Sequence, residues 1–374
     1  MASIYIHIPY CKKACYYCNF HFSTTLHSMS EMILSICKEI QLRSTYLPKN
    51  EIIESIYFGG GTPSLLNDEQ LSEILQTVRN QYNIAENAEV TLEANPDDIQ
   101  KNKLAFWKSI GINRFSLGVQ SFQNEDLVWM NRAHNSQQSL QSIKDIQEAG
   151  FENITIDLIY GTPTLSDENW EKNIETAIQL NIPHLSCYAL TVEEGTALDK
   201  MIAQHKKENT DPDKQARHFE YLMQRLKTAG FDHYEVSNFG KPGFHSRHNS
   251  AYWQGKKYIG IGPSAHSFNG NSRQWNIANN AKYIQTLSNN EIPFEIENLT
   301  PHQQLEEYIM TSLRTMEGLN LQLITENWGE NSVQRIEKLA KKFLDNELMI
   351  KQNGYLILTD KGFLLADGIA ADFF

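Results

Sequence analysis

Between residue 3 and about residue 190 the sequence repeats one pattern: a short β-branched run, a polar turn and a segment of helical period. The runs read SIYIHIP, IIESIYFGG, AEVTLEANP, NRFSLGVQ, NITIDLIYG and PHLSCYALT. Strands that alternate with helices form parallel sheets with right-handed crossovers. Six units are too few to close an eight-stranded barrel. The pattern therefore predicts an α/β fold, an open and partial parallel β/α barrel of six units.

Two regions follow this predicted barrel core of residues 1–190. Residues 191–295 contain a predicted helix, DKQARHFEYLMQRLKTAG, and the strand-like pieces HYEVSNF and KYIGIG, and we interpret them as an extension of the barrel. Residues 296–374 are predicted to form helices and a hairpin around Asn353-Gly354, similar to a winged-helix module. Because residues 301–374 carry 7 Lys and Arg against 11 Asp and Glu, we expect a packing or lid domain and not a DNA-binding one.

The composition narrows the class of protein. Of 374 residues 41% are hydrophobic, which is typical of a folded globular chain, and the net charge of −12 argues against nucleic acid as a partner. No apolar run is long enough for a transmembrane segment, and the sequence starts with a strand and no signal-peptide pattern. The five cysteines are odd in number and bunched, which predicts a reducing, cytoplasmic location. Cys37 and Cys187 lie in apolar segments and are interpreted as core residues.

The ends of the predicted strands carry polar or small residues. They are Gly60, Glu93, Gln120, Asp157 and Tyr188. In parallel β/α barrels the carboxyl ends of the strands form the face that carries the active site. We therefore expect these side chains to converge, together with the cysteine-containing loop after the first strand.

Cys11, Cys15 and Cys18 form a C-x3-C-x2-C pattern directly after the first predicted strand. The first explanation is that the three cysteines share one face of a helix in the core, but the interleaved lysines and tyrosines favour an irregular loop. A zinc site completed by His7 or His21 is a second explanation. The third is an iron–sulfur cluster, because three thiolates on a four-iron cube leave one iron open to bind a ligand.

This pattern resembles the cysteine loop of the radical S-adenosylmethionine (SAM) superfamily, and YFGGGTP at residues 57–63 is similar to that superfamily's glycine-rich loop. YIHIPYC, GGGTPS, LEANP, FSLGVQSF, NRAH and IDLIYGTP resemble, in order, the blocks of its coproporphyrinogen-dehydrogenase-like (HemN-like) group. The resemblance implies a [4Fe–4S] cluster on the three cysteines, SAM chelated to the open iron through its amino and carboxylate groups, and an electron donor to the cluster.

The resemblance also implies which residues contact SAM. Carboxylates suit the ribose hydroxyls or the ammonium group, and an arginine suits a carboxylate. A glycine loop lets the backbone approach a ligand closely. Carried over motif by motif, the implied contacts are Tyr5, Tyr17, Gly60, Gly61, Thr62, Glu93, Gln120, Arg132 and Asp157.

Two branches of the group differ in function: oxygen-independent decarboxylases that act on coproporphyrinogen III, and heme chaperones. The decarboxylases carry a fourth cysteine where this sequence has Phe20, and they have an amino-terminal extension. RHNSAYWQG, residues 247–255, resembles the H-N-x-x-Y-W motif of the heme-chaperone branch. Imidazole suits iron and flat rings suit a macrocycle, so His248 is the heme candidate, with His245 and His266 as alternatives. His248 as a hydrogen-bonded core residue is the other interpretation.

These inferences predict a heme chaperone that holds a [4Fe–4S] cluster, SAM and heme, and that passes heme to an acceptor protein. Whether SAM is consumed, and so whether the protein is an enzyme, stays open. The alternatives are an anaerobic porphyrinogen decarboxylase and a zinc-dependent transcription factor. The charge of the carboxy-terminal region disfavours the last of these.

Overall fold

A twelve-stranded sheet runs through the computed structural model, which describes residues 1–374. Its first six strands pair in chain order and all in parallel. They are β1 (Ala2–Ile8), β2 (Ile52–Gly60), β3 (Asn83–Ala94), β4 (Arg114–Gln120), β5 (Asn153–Tyr160) and β6 (His184–Ala189). The six predicted strands and their parallel arrangement are thus confirmed.

Helices connect these strands and cover the outer face of the sheet. They are α1 (Met29–Leu42), α2 (Asp68–Gln81), α3 (Lys101–Ser109), α4 (Asn124–Trp129), α5 (Ser136–Glu148) and α6 (Asp167–Gln179). The side chain of Asn67 accepts the backbone N–H of Gln70 and the Gln70 side chain accepts the N–H of Asn67, a capping box that fixes the start of α2. On β1 the isoleucines at positions 4, 6 and 8 are fully buried, while Ser3, Tyr5 and His7 alternate onto the inner face.

Residues 191–300 extend the sheet at both edges. Their helices are α7 (Ala197–Ala203), α8 (Pro212–Thr228), α9 (Arg247–Trp253) and α10 (Asn280–Ser288). Their strands are β7 (Asp232–Glu235), β8 (Asn238–Gly240), β9 (Lys257–Ile261), β10 (His266–Phe268), β11 (Ser272–Asn276) and β12 (Phe294–Asn298). β8 and β7 follow β6, whereas β9 to β12 follow β1, and the two end strands, β7 and β12, do not pair with each other.

One feature of the barrel differs from the prediction. β9 lies parallel to β1, so seven strands and not six run in the same direction. The sequence pattern could not show this, because β9 reaches β1 across about 250 residues of chain and no local period records that pairing. The barrel is open, as predicted.

The carboxy-terminal region contains α11 (Pro301–Leu313), α12 (Leu321–Trp328), α13 (Glu330–Asp345), α14 (Asp360–Phe363) and α15 (Ala366–Ala371). A small sheet pairs β13 (Leu319–Asn320), β15 (Tyr355–Leu358) and β14 (Met349–Gln352), in that order. The predicted hairpin turn is present, with positive φ at both Asn353 and Gly354. One continuous apolar core extends from β1 to α15. The domain boundaries at residues 190 and 295 stay a prediction.

None of the helices combines the length and the apolar composition that crossing a bilayer requires.

Candidate functional site

The carboxyl ends of the parallel strands surround a cavity of about 420 Å³. Of the residues predicted for the cluster and SAM, those lining it are Cys11, Cys15, Cys18, Tyr17, Gly60, Gly61, Thr62, Glu93, Gln120, Arg132 and Asp157. The fold thus brings together every such residue except Tyr5. A larger groove of about 930 Å³ lies at the amino ends of β3 to β5, and its lining contains no cysteine and no histidine.

The cysteine loop is an irregular segment between β1 and α1. Residues 9–28 contain no helix, so the helical-stripe explanation of the cysteines is wrong. The loop folds back on itself: the backbone N–H of Cys11 donates to the carbonyl of Ser23 at 3.0 Å, and that of Ser23 donates to Pro9 at 2.9 Å. These bonds fix the entrance and the exit of the loop relative to β1.

A second set of contacts holds the loop against the segment after α4. The backbone N–H of Tyr16 donates to the carbonyl of Met130 at 3.2 Å, and the Asn131 side chain donates to the carbonyl of Ala14 at 2.7 Å. Tyr16 and Tyr17 also pack on a small apolar cluster that includes Met130. The positions of the cysteines are therefore set by tertiary contacts.

The donor atoms do not suit a zinc ion. No three Cys, His, Asp or Glu side chains converge closely enough to hold one metal ion. Nε2 of His7 bonds to the carbonyl of His21 at 2.8 Å, and Nε2 of His21 bonds to the side chain of Asn280 at 2.7 Å. Both imidazoles proposed as a fourth ligand thus have protein partners, which leaves the zinc alternative without geometric support.

The cysteines do suit a larger, multi-iron group. All three are partly exposed and line the same cavity. Burial raises the pKa of Cys11 to about 11 and also raises the pKa of Cys18, so the free thiols are protonated and metal binding would release protons. Nη1 of Arg132 donates to Sγ of Cys15 at 3.3 Å, which ties this cysteine to the segment after α4.

The glycine loop after β2 packs directly on the start of the cysteine loop. The N–H of Gly61 donates to the carbonyl of Ile8 at 2.9 Å, and that of Thr62 donates to Tyr10 at 2.7 Å. A Cβ on Gly61 would lie 2.5 Å from the carbonyl oxygen of Tyr10, and Gly60 has φ of +102°. Only glycines allow this approach, so the two loops form one wall of the cavity.

Two half-buried carboxyl groups, of Glu93 and Asp157, line the cavity. Glu93 is the second-to-last residue of β3 and accepts a hydrogen bond from the hydroxyl of Tyr57 at 2.8 Å, while Ser116 donates to Asp157 on β5 at 3.3 Å. Burial, with the nearby charge of Asp157, raises the pKa of Glu93 to about 7. Burial raises the pKa of Asp157 to about 6. A cationic ligand in the cavity would favour the ionised form of both.

Arg132 links the cysteine loop to the strand ends. Its Nη2 donates to the side chain of Asn95 at 2.6 Å and to the carbonyl of Gly118 at 2.9 Å, and its Nη1 lies 3.4 Å from the hydroxyl of Tyr17. Its Nε is buried and has no protein partner. Arg132 is therefore a held, partly unsatisfied cation beside the cavity, and not an ordinary solvated surface charge.

Tyr5 lies behind the cavity wall. Its hydroxyl bonds to Nδ1 of His7 at 3.2 Å, and its ring stacks on Tyr57 with centroids 6.1 Å apart. A contact between Tyr5 and a ligand in the cavity stays a prediction. Tyr57 and Asn95 are site residues that the sequence reasoning missed, although both stand within quoted motifs, YFGGGTP and LEANP.

His248 also lies outside the cavity. It is 3% exposed on α9, its Nδ1 bonds to Oγ of Ser55 at 2.9 Å, and its ring stacks on Tyr57 at 4.9 Å. Burial lowers the pKa of His248 to about 3, so the imidazole is neutral, and its Nε2 has no hydrogen-bond partner. The neighbouring Asn249 does line the cavity. His248 as a heme ligand stays a prediction, and in this conformation iron has no open path to it.

The rest of the H-N-x-x-Y-W segment supports the barrel. The carboxylate of Glu89, on β3, accepts hydrogen bonds from the backbone N–H groups of Arg247 and His248, each at 3.1 Å. This caps the amino end of α9, which packs against β1, β2 and β9. The guanidinium of Arg314, from the end of α11, lies 5.3 Å from the ring centroid of Trp253. The helix thus connects the carboxy-terminal domain with the cavity.

Comparison with known proteins identifies the family of this chain. Residues 5–177 match the radical SAM superfamily model, and residues 299–365 match the HemN C-terminal domain. The "Heme chaperone HemW" of Mycobacterium tuberculosis strain H37Rv is 34% identical over 98% of this chain and 93% of its own length. That of Bacillus subtilis strain 168 is 30% identical over 100% of this chain and 99% of its own.

The chain belongs to the HemW family of radical SAM proteins.

This HemW-family chain is also similar to a mitochondrial protein and to a solved bacterial structure. "Radical S-adenosyl methionine domain-containing protein 1, mitochondrial" of Danio rerio is 33% identical over 96% of this chain and 82% of its own. The structure of the Escherichia coli protein described as "Coproporphyrinogen III oxidase (HemN)" superimposes with a TM-score of 0.85, covering 100% of this chain and 89% of that one. At 23% identity that likeness concerns the fold, which confirms the predicted radical SAM barrel with its smaller carboxy-terminal domain.

Proposed function

We propose that this protein binds a [4Fe–4S] cluster on Cys11, Cys15 and Cys18, binds SAM in the adjoining cavity, and carries heme to an acceptor protein. The observation that supports it most is the meeting of three thiols with the polar strand ends around one cavity. The full-length similarity to proteins named heme chaperones supports the heme part. All five cysteines are free thiols, which fits a reducing compartment such as the cytoplasm.

The residues of the cavity have distinct tasks in this proposal. The three thiolates would hold the cluster, and the charge of Arg132 would offset part of theirs. Backbone groups of the glycine loop would let the methionine part of SAM approach closely, and Glu93 and Asp157 would attract its positive charge. Gln120 and Thr62 add neutral polar contacts in the same cavity.

When bound and reduced, the cluster would supply an electron that cleaves SAM to a 5′-deoxyadenosyl radical, the chemistry that the superfamily resemblance implies. A redox protein must supply that electron. Such cleavage would serve either a turnover reaction or the release of heme. The protein's own residues contribute binding and orientation.

The alternative function is decarboxylation of coproporphyrinogen III. Propionate-bearing substrates need cations at the mouth of the cavity. Of the cations that line it, Arg114 is 1% exposed and Arg132 is occupied by Asn95 and Gly118, which leaves Lys13 at the exposed rim. Coproporphyrinogen III carries more propionates than heme, so a lining with one exposed lysine favours the heme-carrier proposal.

Two assays on the anaerobically reconstituted protein separate these functions. In the first, hemin-loaded protein is mixed with a heme-free acceptor protein, and transfer is followed by the absorption of the acceptor. In the second, coproporphyrinogen III is supplied with SAM and a reductant, and carbon dioxide is measured. We expect hemin binding and transfer with no decarboxylation. Decarboxylation with several turnovers and no heme transfer would contradict the proposal.

A further inference from the structure

The mouth of the cavity is aromatic, in contrast to its polar base. Phe20 is 65% exposed, and Phe22 and Tyr188 line the same cavity, Tyr188 with 43% of its surface exposed. Single exposed apolar side chains are ordinary on a protein surface. Three aromatic side chains around one opening form a patch, which is typical of a ligand site.

The fold holds Phe20 in this exposed position. The segment that carries it is anchored on both sides, by the bond between Cys11 and Ser23 and by the bond from His7 to the carbonyl of His21. Phe20 stands between these anchors, in the loop that presents the cysteines. Its exposure is therefore built into the cysteine loop.

Phe20 and Tyr188 belong to opposite walls of the cavity. Phe20 and Phe22 follow β1, whereas Tyr188 lies on β6, and β2 to β5 separate these two strands in the sheet. The cavity lies between them and opens to solvent where these side chains are exposed. A flat ligand that enters from this side would meet an aromatic face on each wall.

A cation lies beside this aromatic mouth. Lys13 lines the cavity and is exposed, and its Nζ donates only to the carbonyl of Arg132, at 3.2 Å. Its neighbour Lys12 instead forms ion pairs with Asp97 and Asp98. Lys13 thus has no carboxylate partner within the protein. Glu193 lines the cavity as well, so an anionic group of a ligand is expected toward Lys13 and away from Glu193.

We propose that heme binds at this mouth, with its macrocycle against Phe20 and Phe22, its opposite side toward Tyr188, and one propionate at Lys13. This inference rests on the proposed heme-carrier function and gives it a location. It places the macrocycle in front of the SAM residues and outside the barrel, whereas the sequence predicted a site at the buried His248.

The test is a hemin titration of the full-length protein, reconstituted anaerobically with iron and sulfide and saturated with SAM, followed by Soret absorption. Phe20→Ala is expected to weaken hemin affinity about ten-fold or more, because the variant loses most of one aromatic face. Phe20→Trp keeps such a face and is expected to stay within about three-fold of the unaltered protein. Leu365→Ala, at a residue 53% exposed in the carboxy-terminal region, is the matched control and is expected to change nothing.

Iron content and SAM affinity of each variant are measured alongside, so that a damaged cysteine loop is recognised. Equal hemin affinity of Phe20→Ala and the unaltered protein would overturn the proposed location, and loss of hemin binding in His248→Ala alone would move the site to α9. Equal weakening by Ala and Trp, with intact iron and SAM binding, would also refute an aromatic stack. If the unaltered protein binds no hemin, the proposed function itself fails, and this inference fails with it.

Discussion

Replacing Gly61 by alanine tests how closely the glycine loop and the cysteine loop depend on each other. An added Cβ would lie 2.5 Å from the carbonyl oxygen of Tyr10 and 2.7 Å from that of Ile8. Real Cβ atoms essentially never approach other atoms more closely than 3.0 Å. The backbone beside Cys11 must therefore move by about 0.5 Å or more, since these neighbours are main-chain atoms and not flexible side chains.

The free-energy cost of the Gly61→Ala substitution follows from the same contacts. Overpacking of this kind typically costs about 1–3 kcal/mol. The hydrogen bonds from Gly61 to Ile8 and from Thr62 to Tyr10 are strained by the same shift, and they position the residue directly before Cys11. Because the strain falls on the cysteine loop, we expect a ten-fold or greater loss in retention of the cluster, equivalent to about 1.4 kcal/mol.

The assay is iron and acid-labile sulfide per chain after anaerobic reconstitution and gel filtration, with the thermal midpoint of the apoprotein measured in parallel. Gly368→Ala is the matched control, because a Cβ on Gly368 within α15 meets nothing within 4 Å. It should leave the iron content unchanged and raise stability slightly, as alanine favours a helix. A Gly61→Ala protein with full iron content and unaltered SAM affinity would refute the proposed coupling of the two loops.

Three further predictions concern the buried charges. SAM affinity, measured by equilibrium dialysis, should fall about ten-fold from pH 8 to pH 6, because Glu93 has a pKa of about 7 and only its ionised form attracts a cation. The carboxyl group is ionised above that pH and neutral below it, so a pH profile that Glu93→Gln does not flatten would contradict this assignment. Arg132→Lys should lower the free energy of unfolding of the apoprotein in urea by about 2 kcal/mol, because lysine lacks the planar fork of arginine, so the partly buried oxygens of Asn95 and Gly118 are no longer both satisfied. An unchanged free energy of unfolding would contradict this role of Arg132. Glu89→Gln should lower the free energy of unfolding by about 3 kcal/mol in the same assay, since it removes the carboxylate that faces the buried Arg114 and that caps α9. The control Glu86→Gln, at an exposed neighbouring position, should change it by no more than about 0.5 kcal/mol, and similar losses in both variants would argue against a specific role for Glu89.

The barrel could be predicted because its signals are local. Each strand is a short apolar run, each helix has its own period, and a strand end is read from the residue that closes the run. The residues at those ends, such as Glu93 and Asp157, then meet because parallel strands place their carboxyl ends on one face. The same logic placed the cysteine loop on that face.

What the sequence could not indicate depends on contacts between distant residues. β9 joins β1 far along the chain, and the capping of α9 by Glu89 connects residues more than 150 positions apart. The position of His248 is the clearest case. Its motif left two interpretations open, a heme ligand and a hydrogen-bonded core residue, and the cap at Glu89 turns α9 so that the imidazole packs on Tyr57 inside the barrel.

Electron paramagnetic resonance of the reduced, reconstituted protein before and after addition of SAM tests the central claim most directly. If three thiolates hold a [4Fe–4S] cluster with one iron facing the SAM cavity, the spectrum is expected to be that of a reduced four-iron cluster, and SAM should shift its g-values. Substitution of Cys11, Cys15 or Cys18 by serine should abolish the signal, whereas Cys37→Ser should preserve it. A four-iron signal that SAM leaves unchanged would contradict the open coordination site, and a protein that takes up zinc but no iron would contradict the account of the cysteines altogether.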